Sequence, residues 1–71
     1  MLAKRLKQLR KQRGWSQQKL AEKTGLSFNA VTKIEQGLAK HPTLKTLIKL
    51  AQAFEMGIDE LVGIKNNHGK S

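Results

Sequence analysis

The 71-residue sequence contains no cysteine, one proline and only five acidic residues, and its aromatic residues are one tryptophan and two phenylalanines. Without cysteine the chain can form neither a disulfide nor a thiolate metal site, so apolar packing must hold the fold together. No segment is long and apolar enough to span a bilayer, and no apolar stretch follows the basic N-terminus as in a secretory signal. These absences predict one small domain, by default in the cytoplasm.

Positive charge is abundant and unevenly distributed. Fourteen lysine and arginine residues oppose five acidic residues, which gives a formal net charge of +9 and a pI of about 10.4. The first thirteen residues contain six basic side chains and no acid, whereas Glu55, Asp59 and Glu60 lie near the other end. Such a basic domain is typical of nucleic-acid-binding proteins, because phosphates attract its surface. A generic basic surface and contact with an anionic membrane are the alternatives.

The spacing of apolar residues predicts five short helices and no strand. Leu2, Leu6 and Leu9, for example, form one stripe along the first helix. We expect the helices to form one domain over residues 1–63, followed by a polar, frayed tail over 64–71. The predicted helices cover residues 2–13, 17–24, 28–36, 44–54 and 58–62.

The second and third predicted helices share one local pattern. Ser16 and Ser27 are favourable N-caps, and each follows an apolar residue that can pack against the first turns of the helix as a hydrophobic staple. The connection at residues 25–27 contains a glycine, as in a helix-turn-helix. Val31 and Ile34 are expected to fill the space between the two helices. A helix pair with only a packing role is the alternative interpretation.

The outward face at the start of the third helix carries side chains that can read DNA bases: Phe28, Asn29, Thr32 and Lys33. A recognition helix presents its N-terminal residues to base edges in the major groove. Asparagine can bind adenine, lysine suits guanine, and phenylalanine or the threonine methyl can contact a thymine methyl. For Asn29 and Lys33 the alternative is an ordinary solvated face. For Phe28 it is a contact with Trp15 or the loop.

The starts of the second and third helices are also expected to bind phosphate, through free backbone N–H groups and the positive end of the helix dipole. We predict phosphate contacts for Gln17, Ser27 and Lys40, the last in the loop after the third helix. Such contacts fix the register of a protein on DNA and carry no sequence information. For Lys40, an ordinary loop lysine is an equally good interpretation.

Two longer segments resemble the Xre/Cro/cI family of repressor-like helix-turn-helix domains. GWSQQKLAEKTGLSFNAVTKIEQG is similar to the family's second and third helices, and PTLKTLIKLAQAFEMGIDELV to its fourth and fifth. The resemblance covers about residues 3–63. It implies an all-α, compact five-helix, lambda-repressor-like domain whose helix-turn-helix is formed by helices two and three. It also implies binding to double-stranded operator DNA as a homodimer.

The resemblance assigns roles by position. Gln17 matches the phosphate-binding glutamine that opens the second helix, and Lys40 matches a backbone contact in the following loop. The family's base-reading positions correspond to Phe28, Asn29, Thr32 and Lys33. The dimer surface of the family corresponds to Met56, Gly57 and Ile58.

The resemblance also pairs Arg10 with Glu35, as in similar small phage repressors, where the pair joins the first and third helices. We predict that this pair is buried, so that removing one partner costs about 3–5 kcal/mol. Glu55 stands where the family usually has a glycine that ends the fourth helix. Because a left-handed glutamate would be strained, we expect the loop at Glu55 to take another path.

The predicted function is therefore a sequence-specific transcriptional regulator, in the first instance a repressor that blocks RNA polymerase at a palindromic operator. An antitoxin that neutralises a toxin protein and represses its own operon is the alternative. An enzyme is not expected, because His41 and His68 lack metal-ligand spacing and Asp59 and Glu60 fit the start of a helix. We expect no cofactor, no metal and no small-molecule substrate.

Overall fold

The computed structural model describes residues 2–39 and 41–63, and within those ranges it contains five helices and no strand. The predicted all-α, five-helix architecture is thereby confirmed. Lys40 and the predicted tail at 64–71 lie outside the described residues. None of the described helices is long and apolar enough to cross a membrane. The helices are α1 (Leu2–Gln12), α2 (Gln17–Thr24), α3 (Phe28–Glu35), α4 (Leu44–Ala53) and α5 (Ile58–Val62).

The starts of α2, α3 and α4 are fixed by side-chain caps. The Ser16 hydroxyl accepts a hydrogen bond from the Lys19 N–H at 3.0 Å, and the Ser27 hydroxyl accepts one from the Ala30 N–H at 3.0 Å. Thr43 caps α4 in the same way. Each such cap stabilises its helix by about 1 kcal/mol, because it satisfies an N–H that has no partner within the helix. The two serine caps confirm the predicted starts of α2 and α3.

One apolar core joins all five helices. Trp15 and Leu26, the apolar residues before the two serine caps, pack against this core, which agrees with the predicted staples. Because α2 and α3 are anchored in the same core as the other helices, the outer face of α3 has a fixed orientation. The buried core residues are Leu6, Leu9, Leu20, Ala21, Val31, Ile34, Leu50, Ala51, Phe54 and Leu61.

The turn between α2 and α3 is held by backbone and side-chain hydrogen bonds. Gly25 has a φ of 79°, and its N–H donates to the Ala21 carbonyl at 2.9 Å. The Thr24 hydroxyl donates to the Leu20 carbonyl at 2.8 Å and accepts from the Leu26 N–H at 3.2 Å. Thr24 is itself buried, so its hydroxyl satisfies the backbone in the place of water. The backbone groups at the turn of the helix-turn-helix are therefore satisfied within the domain.

The connection between α4 and α5 corrects the expectation for Glu55. This residue does adopt the left-handed conformation, with a φ of 58°, and the loop does not take another path. The Met56 N–H donates to the Ala51 carbonyl at 3.0 Å. This bond closes the end of α4 in the way that is usual when a glycine stands at the left-handed position, here Glu55. The Phe54 side chain before Glu55 is buried and Met56 after it packs against the core. These anchors outweigh a backbone strain of about 1–2 kcal/mol at Glu55.

Two arginine side chains, one in α1 and one just after it, hold the ends of α5 and α4. Arg5 donates to the Leu61 carbonyl at 3.3 Å and to the Glu60 carbonyl at 2.9 Å. Arg13 donates to the Phe54 carbonyl at 2.7 Å. Glu60 and Leu61 lie in the last turn of α5 and Phe54 is the C-cap of α4, where carbonyls lack a full set of partners within the helix. A cation at a helix C-terminus also interacts favourably with the helix dipole.

Candidate nucleic-acid interface

The start of α3 presents a polar and aromatic face to solvent, because the apolar face of this helix is buried in the core. Asn29 and Lys33 are exposed, and Phe28 is 49% exposed. Thr32 is half-buried, and its hydroxyl donates to the Asn29 carbonyl at 2.9 Å. Three of the four predicted base-reading side chains are thus accessible, and the fourth lies beside them with its hydroxyl engaged within the helix.

Phe28 remains open to a partner. Trp15, which the sequence offered as a neighbour for it, instead stacks on Phe54 with ring centroids 5.3 Å apart. Arg13 lies 5.5 Å from the Trp15 centroid and Lys23 also lies 5.5 Å from it. Trp15 therefore packs at the edge of the core beside two cationic side chains, while Phe28 is a large apolar side chain exposed at the first position of α3.

An open groove of about 360 Å³ lies between α3 and the segment that leads into α4. The Thr43 and Thr46 hydroxyls are 3.1 Å apart on the α4 wall, and His41 lies on the same wall. Sequence reasoning did not assign His41 and Thr46 to the interface, because their position depends on how α4 packs beside α3. Hydrogen-bonding side chains thus line both walls of the groove. They belong to Ser27, Asn29 and Lys33 on the α3 wall and to His41, Thr43 and Thr46 on the α4 wall.

The three predicted phosphate ligands differ in their surroundings. Ser27 is exposed, and its hydroxyl, which accepts from Ala30, can still donate one hydrogen bond. Gln17 is half-buried and opens α2. Lys40 lies outside the described residues, so its contact stays a prediction.

A buried cluster of polar side chains joins α1, α2 and α3. Arg10 donates from Nε to Glu35 Oε2 at 2.7 Å and from Nη2 to Glu35 Oε1 at 3.0 Å. The exposed fractions of these two side chains are 12% and 2%. Gln17 Nε2 donates to the same Oε1 at 3.0 Å, and Arg10 Nη1 donates to the Trp15 carbonyl at 2.9 Å. The glutamate charge is therefore paired and fully hydrogen-bonded in the interior.

The charge on the outer surface of α3 has one sign. Glu35 is the only acid in this helix, and it is buried against Arg10. Lys33 is exposed on the helix and lines the groove. An anion approaching the start of α3 thus meets Lys33 and no exposed carboxylate of that helix, which favours a polyanionic partner.

The residues assigned to a dimer contact lie at the connection between α4 and α5. Met56 and Ile58 are half-buried and pack against the core, and Gly57 between them is exposed. Gly57 begins α5 without a side-chain cap. Contact of this surface with a second copy stays a prediction.

A profile of the helix-turn-helix family matches residues 6–61, which include all of α2, α3 and α4. The chain belongs to this family, whose domains are of the Xre/Cro/cI type. The family inferred from the sequence is thereby confirmed.

Within the described residues, no group of histidine and acidic side chains is arranged to hold a metal ion.

Several curated relatives are transcriptional regulators by name. The HTH-type transcriptional regulator SinR of Bacillus subtilis is 32% identical over 66 residues, which are 93% of this chain and 60% of SinR. The HTH-type transcriptional regulator SutR of Escherichia coli is 50% identical over 55 residues, which are 78% of this chain and 30% of SutR. The cryptic phage CTXphi transcriptional repressor RstR of Vibrio cholerae is 37% identical over 62 residues, which are 87% of this chain and 54% of RstR.

The chain spans about 60% of the length of the SinR relatives and a smaller share of SutR and RstR. No solved structure matches it.

Proposed function

We propose that this chain is a sequence-specific transcriptional regulator that inserts α3 into the major groove of double-stranded DNA. The observation that carries the proposal is the exposed start of α3 on a helix-turn-helix whose other face is buried in the core. A net charge of +9 supplies the attraction to phosphate that every such interface needs. The family membership and the names of the relatives support the same function.

Base readout is assigned to the four side chains at the start of α3. Asn29 can form a bidentate pair with adenine, and Lys33 can bind guanine O6 and N7. Phe28 and Thr32 supply apolar contacts to a thymine methyl. Gln17 and Ser27, at the starts of α2 and α3, together with Lys40, bind backbone phosphates on either side of the groove.

The regulator acts as a homodimer and as a repressor in this proposal. Two copies that meet through Met56, Gly57 and Ile58 would place their α3 helices about 34 Å apart, in successive turns of the major groove. A two-fold symmetric protein then recognises a palindromic operator. The name of RstR, a transcriptional repressor, supports repression as the outcome of operator binding.

The test is selection of a preferred site from a random duplex library, followed by binding measurements on selected and unselected duplexes over a salt series. Asn29→Ala should weaken the selected site by about 1–3 kcal/mol and relax its sequence preference. Gln18→Ala, a change of an exposed amide on α2, serves as the matched control. Equal loss on selected and unselected duplexes for Asn29→Ala would exclude base readout by this residue.

A further inference from the structure

We propose that Glu35 is a positioning residue for DNA binding, which holds the Gln17 amide with one N–H directed to the DNA backbone. The inference rests on the proposed function, since it concerns how Gln17 becomes a phosphate ligand. The side chain predicted to bind phosphate already donates to a carboxylate, Glu35 Oε1, at 3.0 Å.

The carboxylate of Glu35 is a fixed point in the domain. Only 2% of its side chain is exposed, and the fork of the Arg10 guanidinium binds both of its oxygens. Bidentate charge-assisted bonds of this kind are short and directional. Arg10 is held in turn by the Trp15 carbonyl at 2.9 Å. The hydrogen bond from Gln17 therefore ends on an acceptor that α1 and α3 together keep in place.

This arrangement gives the Gln17 amide one orientation. A primary amide has two N–H donors and one carbonyl acceptor, and Glu35 takes one of the donors. Rotation of the amide by half a turn would bring its carbonyl oxygen against the carboxylate, where two acceptors face each other. The bond to Glu35 thus fixes which way the amide faces: its nitrogen is held at the carboxylate, and its second N–H is left to donate to a phosphate. A long, flexible side chain is ordered before DNA arrives.

Arg10 makes an acidic positioning residue compatible with phosphate binding. An unpaired carboxylate next to Gln17 would repel the DNA backbone through the low-dielectric interior. The guanidinium of Arg10 neutralises Glu35 at 2.7 Å. The pair therefore orients the Gln17 amide by a hydrogen bond and adds no net charge near the DNA backbone. The ion pair that joins α1 to α3 therefore has a second role at the interface.

The experiment is a double-mutant cycle on binding to a short duplex of mixed sequence, because a phosphate contact does not depend on the bases. Gln17→Ala is measured in the wild-type chain and in the variant Arg10→Met/Glu35→Met, which removes both buried charges together. Gln18→Ala is measured in both backgrounds as the matched control, since Gln18 is the exposed neighbour of Gln17 on α2.

Gln17→Ala should reduce affinity in the wild-type chain by about threefold more than in the double-methionine background, within the range of couplings between residues in contact. Gln18→Ala should have the same effect on affinity, if any, in both backgrounds, as expected when the start of α2 is retained. Equal effects of Gln17→Ala in the two backgrounds would overturn the positioning role, because a residue that only stabilises the fold does not couple to Gln17.

A second measurement needs neither DNA nor a variant. In the wild-type chain, the side-chain amide protons of Gln17 should exchange with water more slowly than those of Gln18, as seen by NMR. Equal exchange for the two glutamines would overturn the role of Glu35 and leave DNA binding by the domain intact. A wild-type chain that leaves the duplex unbound at low salt would overturn the proposed function, and with it the role of Gln17.

Discussion

Arg13 and Phe54 meet across 41 positions of sequence: the guanidinium donates to the Phe54 carbonyl at 2.7 Å and lies 5.6 Å from the centre of its ring. The same guanidinium lies 5.5 Å from the Trp15 ring, which stacks on Phe54. One side chain therefore closes the end of α4 and covers the aromatic edge of the core. This contact is part of what holds the next residue, Glu55, in a left-handed conformation.

Replacement of Glu55 by glycine should stabilise the domain. Glycine adopts a positive φ without the steric cost of a Cβ, although it loses more backbone entropy on folding. We expect the free energy of unfolding to rise by about 0.5–1 kcal/mol, which raises the midpoint of thermal unfolding by a few degrees. Gln52→Gly, at an exposed helical position of α4, should lower the midpoint. A fall in the midpoint for Glu55→Gly would show that the glutamate is not strained.

Loss of the Glu35 charge should destabilise the domain strongly. Glu35→Gln leaves the Arg10 guanidinium facing an amide in the interior, at an expected cost of about 3–5 kcal/mol. Glu22→Gln is the matched control: this glutamate pairs with Lys19 at 3.9 Å on the exposed surface, where a pair contributes about 0–1 kcal/mol. The midpoints of thermal unfolding of the two variants measure the difference between the buried and the exposed pair. An unchanged midpoint for Glu35→Gln would mean that the pair contributes no more than a surface contact.

The Thr24 hydroxyl should be needed for the stability of the helix-turn-helix. Thr24→Val keeps the shape of the side chain but leaves the Leu26 N–H without its acceptor, at an expected cost of about 1–3 kcal/mol. Thr32→Val, which removes a hydroxyl from the solvent side of α3, should change stability by less than about 0.5 kcal/mol. Chemical denaturation of the two variants measures the difference. Equal stabilities would indicate that water replaces the hydroxyl at the turn.

Removal of the Phe28 ring should weaken DNA binding without weakening the fold. The ring is 49% exposed, so Phe28→Ala leaves no cavity in the core, and loss of the apolar area that DNA would cover should reduce affinity for a selected operator by about 1 kcal/mol. Leu38→Ala removes another exposed apolar side chain, 68% exposed, and should leave operator affinity unchanged. Binding isotherms with melts of the same samples separate the two effects. Similar losses for both variants would point to general apolar contact with DNA.

Local chemistry allowed the starts of the central helices to be predicted from the sequence. Ser16 and Ser27 each cap a helix within three residues of themselves, so no tertiary information was needed. The helix ends were predicted less accurately, because α1, α3 and α4 each stop one residue before the predicted position. At the end of α1 the Arg13 N–H lies 3.2 Å from the Leu9 carbonyl and 3.1 Å from the Arg10 carbonyl, a tightened last turn that the apolar pattern does not register.

Contacts between distant segments account for what the sequence did not predict. The left-handed Glu55 follows the buried Phe54, whose carbonyl accepts from Arg13, and precedes Met56, whose N–H closes the end of α4. The conformational preference of glutamate alone does not include these contacts. The bond from Gln17 to Glu35 joins residues 18 apart, and it depends on the angle at which α2 packs against α3. The family resemblance supplied Arg10 and Glu35 as a pair but gave no third partner.

The Arg5 bonds to the carbonyls of Glu60 and Leu61 span 55 and 56 positions, so they join α1 to α5. During translation, α1 leaves the ribosome long before these carbonyls exist as acceptors. The core that fully buries its Leu6 side chain includes Leu61, so it is incomplete until synthesis has passed that residue. The nascent chain must therefore carry a basic, half-exposed amphipathic helix until α5 has left the ribosome, and the whole core closes only after that point.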